Sequence, residues 1–192
     1  MPQPAHIVKI ALPNHNDLDP DIQKYLSICV DKLGMAPNVL TAYTGSPQKF
    51  RNFSQFYNQL MLDEETTTLS PLDREMIAVV VSAANRCYYC LVAHGQAVRA
   101  LSGDTQLGEM MVMNYRVAEL PARQRVMLDF AWKLTTTAFD IGDPDRATLR
   151  EAGFSDGDIF DITDVVAFFN YTNRMAHGLD MMPNAEYHAM NR

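Results

Sequence analysis

The stretch that decides the fold is residues 70–95, which read SPLDREMIAVVVSAANRCYYCLVAHG. Ser70 followed by Pro71 begins a helix, because a serine hydroxyl caps the first turn and a proline presets the backbone angle of the next residue. The apolar run that follows is helical, and Cys87 begins a second helix. A tight reversal near Arg86 makes these two helices antiparallel. We therefore expect a helical hairpin in the middle of the chain.

The rest of the chain also has a helical pattern. Apolar residues recur at spacings of three and four, and turn residues fall between the resulting segments. Proline, serine and aspartate provide the starts of these segments, and glycine provides several of the ends. Further helices are expected near residues 20–33, 38–43, 47–60, 104–113, 121–139, 143–152 and 155–178. The sequence predicts an all-α fold, a compact multi-helix domain that spans residues 1–192 without a linker.

Composition and charge exclude several classes of protein. The chain has 192 residues, of which 47% are hydrophobic and 20% charged, so intrinsic disorder is excluded. The length is sufficient for one hydrophobic core. The formal net charge is −7 and the basic residues are scattered, which argues against a nucleic-acid partner.

Cysteine content and apolar runs indicate the compartment. Three cysteines do not form the even-numbered framework of a small secreted domain, so a reducing cytoplasm is expected. The segment from Met1 to Leu12 lacks the apolar region of a signal peptide. The longest apolar run, near residues 77–84, is far shorter than the ~20 residues of a membrane span. We therefore expect neither export nor a membrane partner.

Three residues of the second hairpin helix share one face. At 100° per residue, Cys87, Cys90 and His94 fall at about 0°, −60° and −20° around the helix axis. His94 lies one turn beyond Cys90, with their Cβ atoms roughly 5–6 Å apart, so the imidazole can take a thiol proton directly or through a water. The two cysteines are at a separation that a disulfide can close if the first turn relaxes.

Glu75 joins this group through a length argument. From the reversal at Arg86, Glu75 lies ~16 Å back along the first helix and His94 lies ~12 Å forward along the second, at 1.5 Å per residue. Both side chains are therefore expected at a similar depth in the hairpin. A carboxylate that orients an imidazole, which in turn deprotonates a thiol, is the usual arrangement of an activated nucleophile.

The residues alone leave the nucleophile open. The positive end of the helix favours Cys87, whereas the spacing to His94 favours Cys90. Zinc is the alternative use of Cys87, Cys90 and His94, but a structural zinc site needs a fourth ligand. The third thiol, Cys29, lies on an apolar helix face with Tyr25, Leu26, Val30 and Leu33, which predicts a structural role. We therefore favour redox chemistry, with no metal and no cofactor.

The motif resembles that of a known family. Glu75, eleven intervening residues, Cys87, two residues, Cys90, three residues and His94 match the motif of the alkylhydroperoxidase D (AhpD) family, within the carboxymuconolactone decarboxylase superfamily. The flanking sequence is similar to the peroxidase-related branch of that family. The segment NYTNRMAHGLD, residues 170–180, agrees more loosely.

The resemblance implies an all-helical fold built on a helical hairpin and assembled into dimers, trimers or hexamers. It also implies a hydroperoxide as substrate and a dithiol or a thiol protein as reductant. Cys90 would attack the peroxide, Cys87 would resolve the sulfenate as a disulfide, and His94 with Glu75 would form the proton relay. One residue departs from the family pattern, because Tyr89 stands where that pattern has a second histidine.

A second hypothesis uses the same residues without catalysis. A redox sensor or an oligomeric assembly module could form the Cys87–Cys90 disulfide once and change its packing. Continuous consumption of peroxide in the presence of a dithiol distinguishes an enzyme from such a sensor.

Overall fold

A computed structural model describes residues 3–192, and these residues form α-helices and short helical turns without any β-strand. The expected all-α fold is confirmed. The helices are α1 (Pro20–Leu33), α2 (Asn38–Tyr43), α3 (Pro47–Tyr57), α4 (Pro71–Ala84), α5 (Tyr88–Ser102), α6 (Thr105–Asn114), α7 (Ala122–Thr136), α8 (Asp143–Glu151) and α9 (Asp156–Gly178). No helix of residues 3–192 is both long and apolar enough to cross a membrane.

Helix α4 lies at the centre of the core. It packs against α5, α7 and α9, and the side chains from Met76 to Val81 are completely buried. A helix that is apolar on all sides needs neighbours on all sides, which explains this central position. Functional side chains on α4 are consequently held by the most constrained element of the fold.

The sequence signals for helix starts and ends were accurate at several positions. Ser70 Oγ accepts a hydrogen bond from the Asp73 backbone N–H at 3.1 Å, which is the expected N-cap of α4. Ser155 and Asp158 form a capping box at the start of α9. Gly34 and Gly103 end α1 and α5 in the left-handed conformation.

The reversal between α4 and α5 is as tight as the sequence suggests. The Arg86 N–H donates to the Ala83 carbonyl at 3.1 Å, and the Cys87 N–H donates to the Ser82 carbonyl at 2.9 Å, which together form a Schellman motif. Arg86 occupies the left-handed position with φ of 54°, where glycine is usual. This turn makes Cys87 the N-cap of α5 directly after α4 has ended.

Three local expectations were wrong. Helix α7 ends at Thr136 instead of Phe139. In its last turn the Thr135 and Thr136 hydroxyls donate to carbonyls four residues back, and these bonds compete with the backbone hydrogen bonds of the helix. A π-helical segment, Asn58–Leu62, follows α3. On α1, Ile22 and Leu26 of the expected apolar face are buried, but Val30 and Leu33 are exposed, because the core covers less of this helix than its pattern predicts.

Candidate active site

The two cysteines of the motif lie at the start of α5 and are reduced. Cys87 is the N-cap and Cys90 lies in the first turn, so both sulfurs are near the positive end of the helix. Only 1% of Cys87 and 3% of Cys90 is exposed. Both residues belong to a small apolar cluster with Val8, Ala176 and Met181. The thiols are therefore enclosed by the protein.

The two thiols have opposite tendencies to ionise. A hydrogen bond from the Cys90 thiol lowers the pKa of Cys87 from 9.0 to about 7, and the Cys90 backbone N–H and the charges of His177 and His94 act in the same direction. The same hydrogen bond, together with burial, raises the pKa of Cys90. The first proton lost by the pair leaves a thiolate on Cys87, with Cys90 as its hydrogen-bond donor. This result agrees with the helix-end argument and not with the spacing to His94.

Cys90 is also held by residues from α4 and α9. Ser82 and Asn173 form hydrogen bonds to its side chain that partly oppose the rise of its pKa. Asn173 Nδ2 donates to Ser82 Oγ at 3.0 Å, and both residues are completely buried. These two polar side chains fix the position of the second sulfur.

Glu75 and His94 meet as the length argument predicts. His94 Nδ1 donates to Glu75 Oε2 at 2.7 Å, with the side chains 12% and 10% exposed. The edge of Phe169 packs against the imidazole with ring centres 4.6 Å apart, which further restricts ring rotation. Because the carboxylate occupies Nδ1, Nε2 is the nitrogen that remains for proton exchange.

The structure therefore brings the four predicted residues into one region. Glu75 is supplied by α4, whereas Cys87, Cys90 and His94 are supplied by the start of α5 and its second turn. His94 is close enough to the pair for its charge to lower the pKa of Cys87. The arrangement can form and stabilise a thiolate and exchange protons near it. That is the chemistry expected of a reactive cysteine.

Sequence reasoning missed a polar stripe on α9 that braces this region. Asn85 Nδ2 donates to Asn170 Oδ1 at 3.0 Å and to Asn173 Oδ1 at 2.9 Å. The His177 ring N–H donates to the Asn85 carbonyl at 3.0 Å. The signal was present, because polar residues at 170, 173 and 177 follow the helical period on a helix whose other buried residues are mostly apolar.

The cover over the thiols joins the two ends of the described chain. The Lys9 N–H donates to the Leu179 carbonyl and the Met182 N–H donates to the Ile7 carbonyl, each at 2.9 Å. The His6 imidazole lies 3.0 Å from an Asp180 carboxylate oxygen. We refer to residues 6–9 and 179–182 as the cover.

The structure also places the third thiol and the acidic, histidine and cysteine side chains that a metal would need. Within residues 3–192, no group of three or more His, Cys, Asp or Glu side chains converges to hold a metal ion. Cys29 is half-buried and packs at the edge of the main core. Burial raises the pKa of Cys29, which disfavours its thiolate.

The fold and the site define an all-helical dithiol protein with a carboxylate–histidine pair near its sulfurs. Residues 47–127 match the carboxymuconolactone decarboxylase family. A peroxidase-related protein from Silicibacter sp. TM1040 is 57% identical with a TM-score of 0.95, and the match covers 100% of both chains. A peroxidase-related protein from Ralstonia eutropha JMP134, described as an alkylhydroperoxidase AhpD core, is 39% identical with a TM-score of 0.93 over 98% of each chain. The chain belongs to the carboxymuconolactone decarboxylase family, among its AhpD-like, peroxidase-related members.

The fold also occurs in a protein described as a debrominase. The debrominase Bmp8 has a TM-score of 0.78 and 16% identity, over 97% of this chain and 96% of that one. At this identity the likeness concerns the fold alone. None of the functionally curated protein sequences matches the chain.

Proposed function

We propose that the protein is a thiol-dependent peroxidase that reduces hydroperoxides through a Cys87–Cys90 disulfide. The observation that carries this proposal is the lowered pKa of Cys87, about 7, caused by a second thiol three residues away that can complete a disulfide. The peroxidase-related description of two close structural relatives supports the same activity. A less specific form of the proposal, a redox-active dithiol protein, depends on the same two cysteines.

In the first step, Cys90 attacks the distal oxygen of the hydroperoxide, as the family resemblance implies. The Cys90 proton moves along the existing hydrogen bond to the Cys87 thiolate, so the attacking sulfur is the thiolate of Cys90. The O–O bond breaks, Cys90 becomes a sulfenic acid, and the departing alkoxide takes a proton delivered through His94 to leave as the alcohol. Glu75 holds the imidazole in position for this transfer.

In the second step, Cys87 attacks the sulfenic acid. The S–O bond breaks, an S–S bond forms, and the hydroxyl group leaves with the Cys87 proton as water. An external dithiol then reduces the disulfide and is itself oxidised, which restores both thiols. Overall, the singly deprotonated pair, one hydroperoxide and one proton give the disulfide, one alcohol and one water.

The pKa order also favours a second assignment of the sulfurs. Because the resting charge lies on Cys87, that sulfur could attack first and Cys90 could resolve, with the same overall balance. A sulfenic-acid probe distinguishes the two orders. If Cys90 attacks first, the probe labels Cys90 in the Cys87→Ser variant after one equivalent of peroxide. If the probe labels only Cys87, in the Cys90→Ser variant, the assignment is reversed.

The partners follow from the proposed cycle and from the surface. The reductant is a dithiol or a thiol protein, and reduction of the enclosed disulfide requires the cover to open for it. Several large apolar side chains are exposed, among them Phe139 at 86% and Phe160 at 71%. Exposed aromatic side chains of this size favour contact with a second copy of the chain, so we include a homo-oligomer in the proposal.

The test is a steady-state peroxidase assay with hydrogen peroxide, an organic hydroperoxide and several dithiols. Wild type is expected to turn over repeatedly, and Cys90→Ser is expected to lose turnover. Cys29→Ala is the matched control, because its thiol lies outside the pair, and with hydrogen peroxide, which has no organic group to contact the cavity that Cys29 lines, it should retain nearly full turnover. One stoichiometric oxidation followed by no further consumption, with every dithiol, would instead identify a redox sensor.

A further inference from the structure

A cavity reaches the relay side of the site from the surface. It has a volume of about 470 Å³ and lies between α1, α2, α3 and α5. His94 and its neighbour Ala93 form part of its wall, together with Tyr89, whereas neither cysteine of the pair does. A molecule in this cavity therefore contacts the proton relay and not the cover. The volume is in the range of pockets that hold small organic ligands.

The wall of the cavity is mostly apolar. Aliphatic and aromatic side chains form most of it, including Leu40 and Phe53. Two of its four phenol oxygens have protein partners: the Tyr25 hydroxyl donates to Asn58 Oδ1 at 3.0 Å, and the Tyr89 oxygen accepts from the Val39 N–H at 2.9 Å. Because most of the wall is aliphatic or aromatic, the surface offered to a ligand suits an alkyl chain or an aromatic ring.

One lining residue has a permanent charge. Lys32, in the last turn of α1, is the only Lys, Arg, Asp or Glu among the described residues that line the cavity. Lys32 is exposed and, within residues 3–192, forms no ion pair with a carboxylate. An ammonium group at the edge of an apolar cavity is complementary to a ligand that has an apolar body and one anionic end.

We propose that the cavity binds hydroperoxides whose apolar organic group ends in a carboxylate. The carboxylate pairs with Lys32, the apolar body fills the cavity, and the peroxide lies on the His94 side. This inference rests on the proposed peroxidase function, since it names the substrate class of the same site. Hydrogen peroxide has no organic group and would not use these contacts.

Binding without reaction provides the first test. Titration calorimetry with phenylbutyrate and with phenylbutanol compares a carboxylate with a neutral ligand of the same apolar body. Wild type should bind phenylbutyrate more tightly by roughly two- to fivefold, the range expected for one exposed ion pair, and added salt should reduce this preference. Lys32→Met should remove the preference. Lys24→Met is the matched control, because Lys24 is an exposed lysine of the same helix outside the cavity, and it should keep the preference.

Turnover provides the second test. The kcat/KM for para-carboxycumene hydroperoxide should exceed that for cumene hydroperoxide in wild type and in Lys24→Met, and the two values should converge in Lys32→Met. Equal affinities for phenylbutyrate and phenylbutanol in wild type, or an unchanged preference in Lys32→Met, would overturn the carboxylate site. Absence of turnover with every hydroperoxide, including hydrogen peroxide, would overturn the proposed peroxidase function, while the binding measurement would still decide the carboxylate site.

Discussion

The thiolate on Cys87 depends on one hydrogen bond, and removing the donor should change its reactivity by a calculable amount. The Cys90 thiol is the largest cause of the low pKa of Cys87, about 7 instead of 9.0, and burial opposes it. Replacing Cys90 with alanine removes the donor and leaves the burial, the backbone N–H of residue 90 and the charges of His177 and His94. We therefore expect the pKa of Cys87 to rise from about 7 towards the ordinary value of 9.0 in Cys90→Ala.

The magnitude follows from the fraction of thiolate and from its intrinsic reactivity. At pH 7, a rise of two pKa units lowers the thiolate fraction from about one half to about 1%, which is roughly 50-fold. A more basic thiolate is more nucleophilic by about 0.4–0.5 logarithmic units per pKa unit. Over two pKa units this raises the rate of each thiolate roughly eightfold and partly offsets the lower thiolate fraction. Cys87 in Cys90→Ala should therefore react up to about sixfold more slowly near pH 7. Above about pH 8 the order should reverse, because the thiolate of the variant is the better nucleophile and enough of it has then formed to outweigh its lower fraction.

The assay is the pH dependence of the reaction of Cys87 with iodoacetamide, followed by peptide mapping in a Cys29→Ala background. Ultraviolet absorbance of the thiolate gives the pKa independently. Cys90→Ser is the matched control, because the serine hydroxyl still donates a hydrogen bond to the Cys87 sulfur, and its Cys87 should titrate near 7. If Cys87 titrates at the same pH in Cys90→Ala and Cys90→Ser, the hydrogen bond is not the cause of the low pKa and our reasoning is refuted.

Four further outcomes are expected. Stoichiometric hydroperoxide should remove two titratable thiols per chain and link Cys87 to Cys90 in a peptide map; a bond from either one to the third cysteine would contradict this. Glu75→Gln and His94→Asn should slow single-turnover oxidation most near neutral pH and recover much of the rate at high pH, whereas wild-type rates at every pH would show that both residues are structural. Ile77→Ala, at a completely buried position of α4, should lower the free energy of unfolding by about 2–5 kcal/mol in denaturant titration, and a cost below about 1 kcal/mol would show that the core closes around the deletion. Light scattering at micromolar concentration should show an oligomer, and a monomer would remove that part of the proposal.

Much of the site could be predicted because its residues are close in sequence. The contact between Glu75 and His94 follows from two helix lengths and one tight turn, and all of these are local properties. The lowered pKa of Cys87 agrees with the direction expected at a helix start, although its largest cause is the hydrogen bond from the Cys90 thiol. Its partner in the hydrogen bond, Cys90, lies three residues away. Short-range geometry of this kind leaves few alternatives for the chain.

The size of the difference between the two thiol pKa values was not predictable, because part of it depends on residues far away in the chain. Asn173, which forms hydrogen bonds to Cys90 and to Ser82 and lowers the pKa of Cys90, is 91 residues from that serine. The charge of His177, which lowers the pKa of Cys87, also comes from α9. No spacing rule connects these residues to the motif, since their approach results from the packing of α9 on α4.

The sequence by itself determined the all-α class, most helix boundaries and the grouping of Glu75, Cys87, Cys90 and His94. These features depend on caps, periodicity and side chains within a turn or two of one another. Only the tertiary structure decided that the thiols are enclosed by the cover and that a cavity reaches His94 beside exposed residues of α1. Both features arise where segments that are distant in the chain meet the hairpin. Such contacts are stabilised by the burial of apolar surface, and no sequence spacing indicates which distant segments will meet.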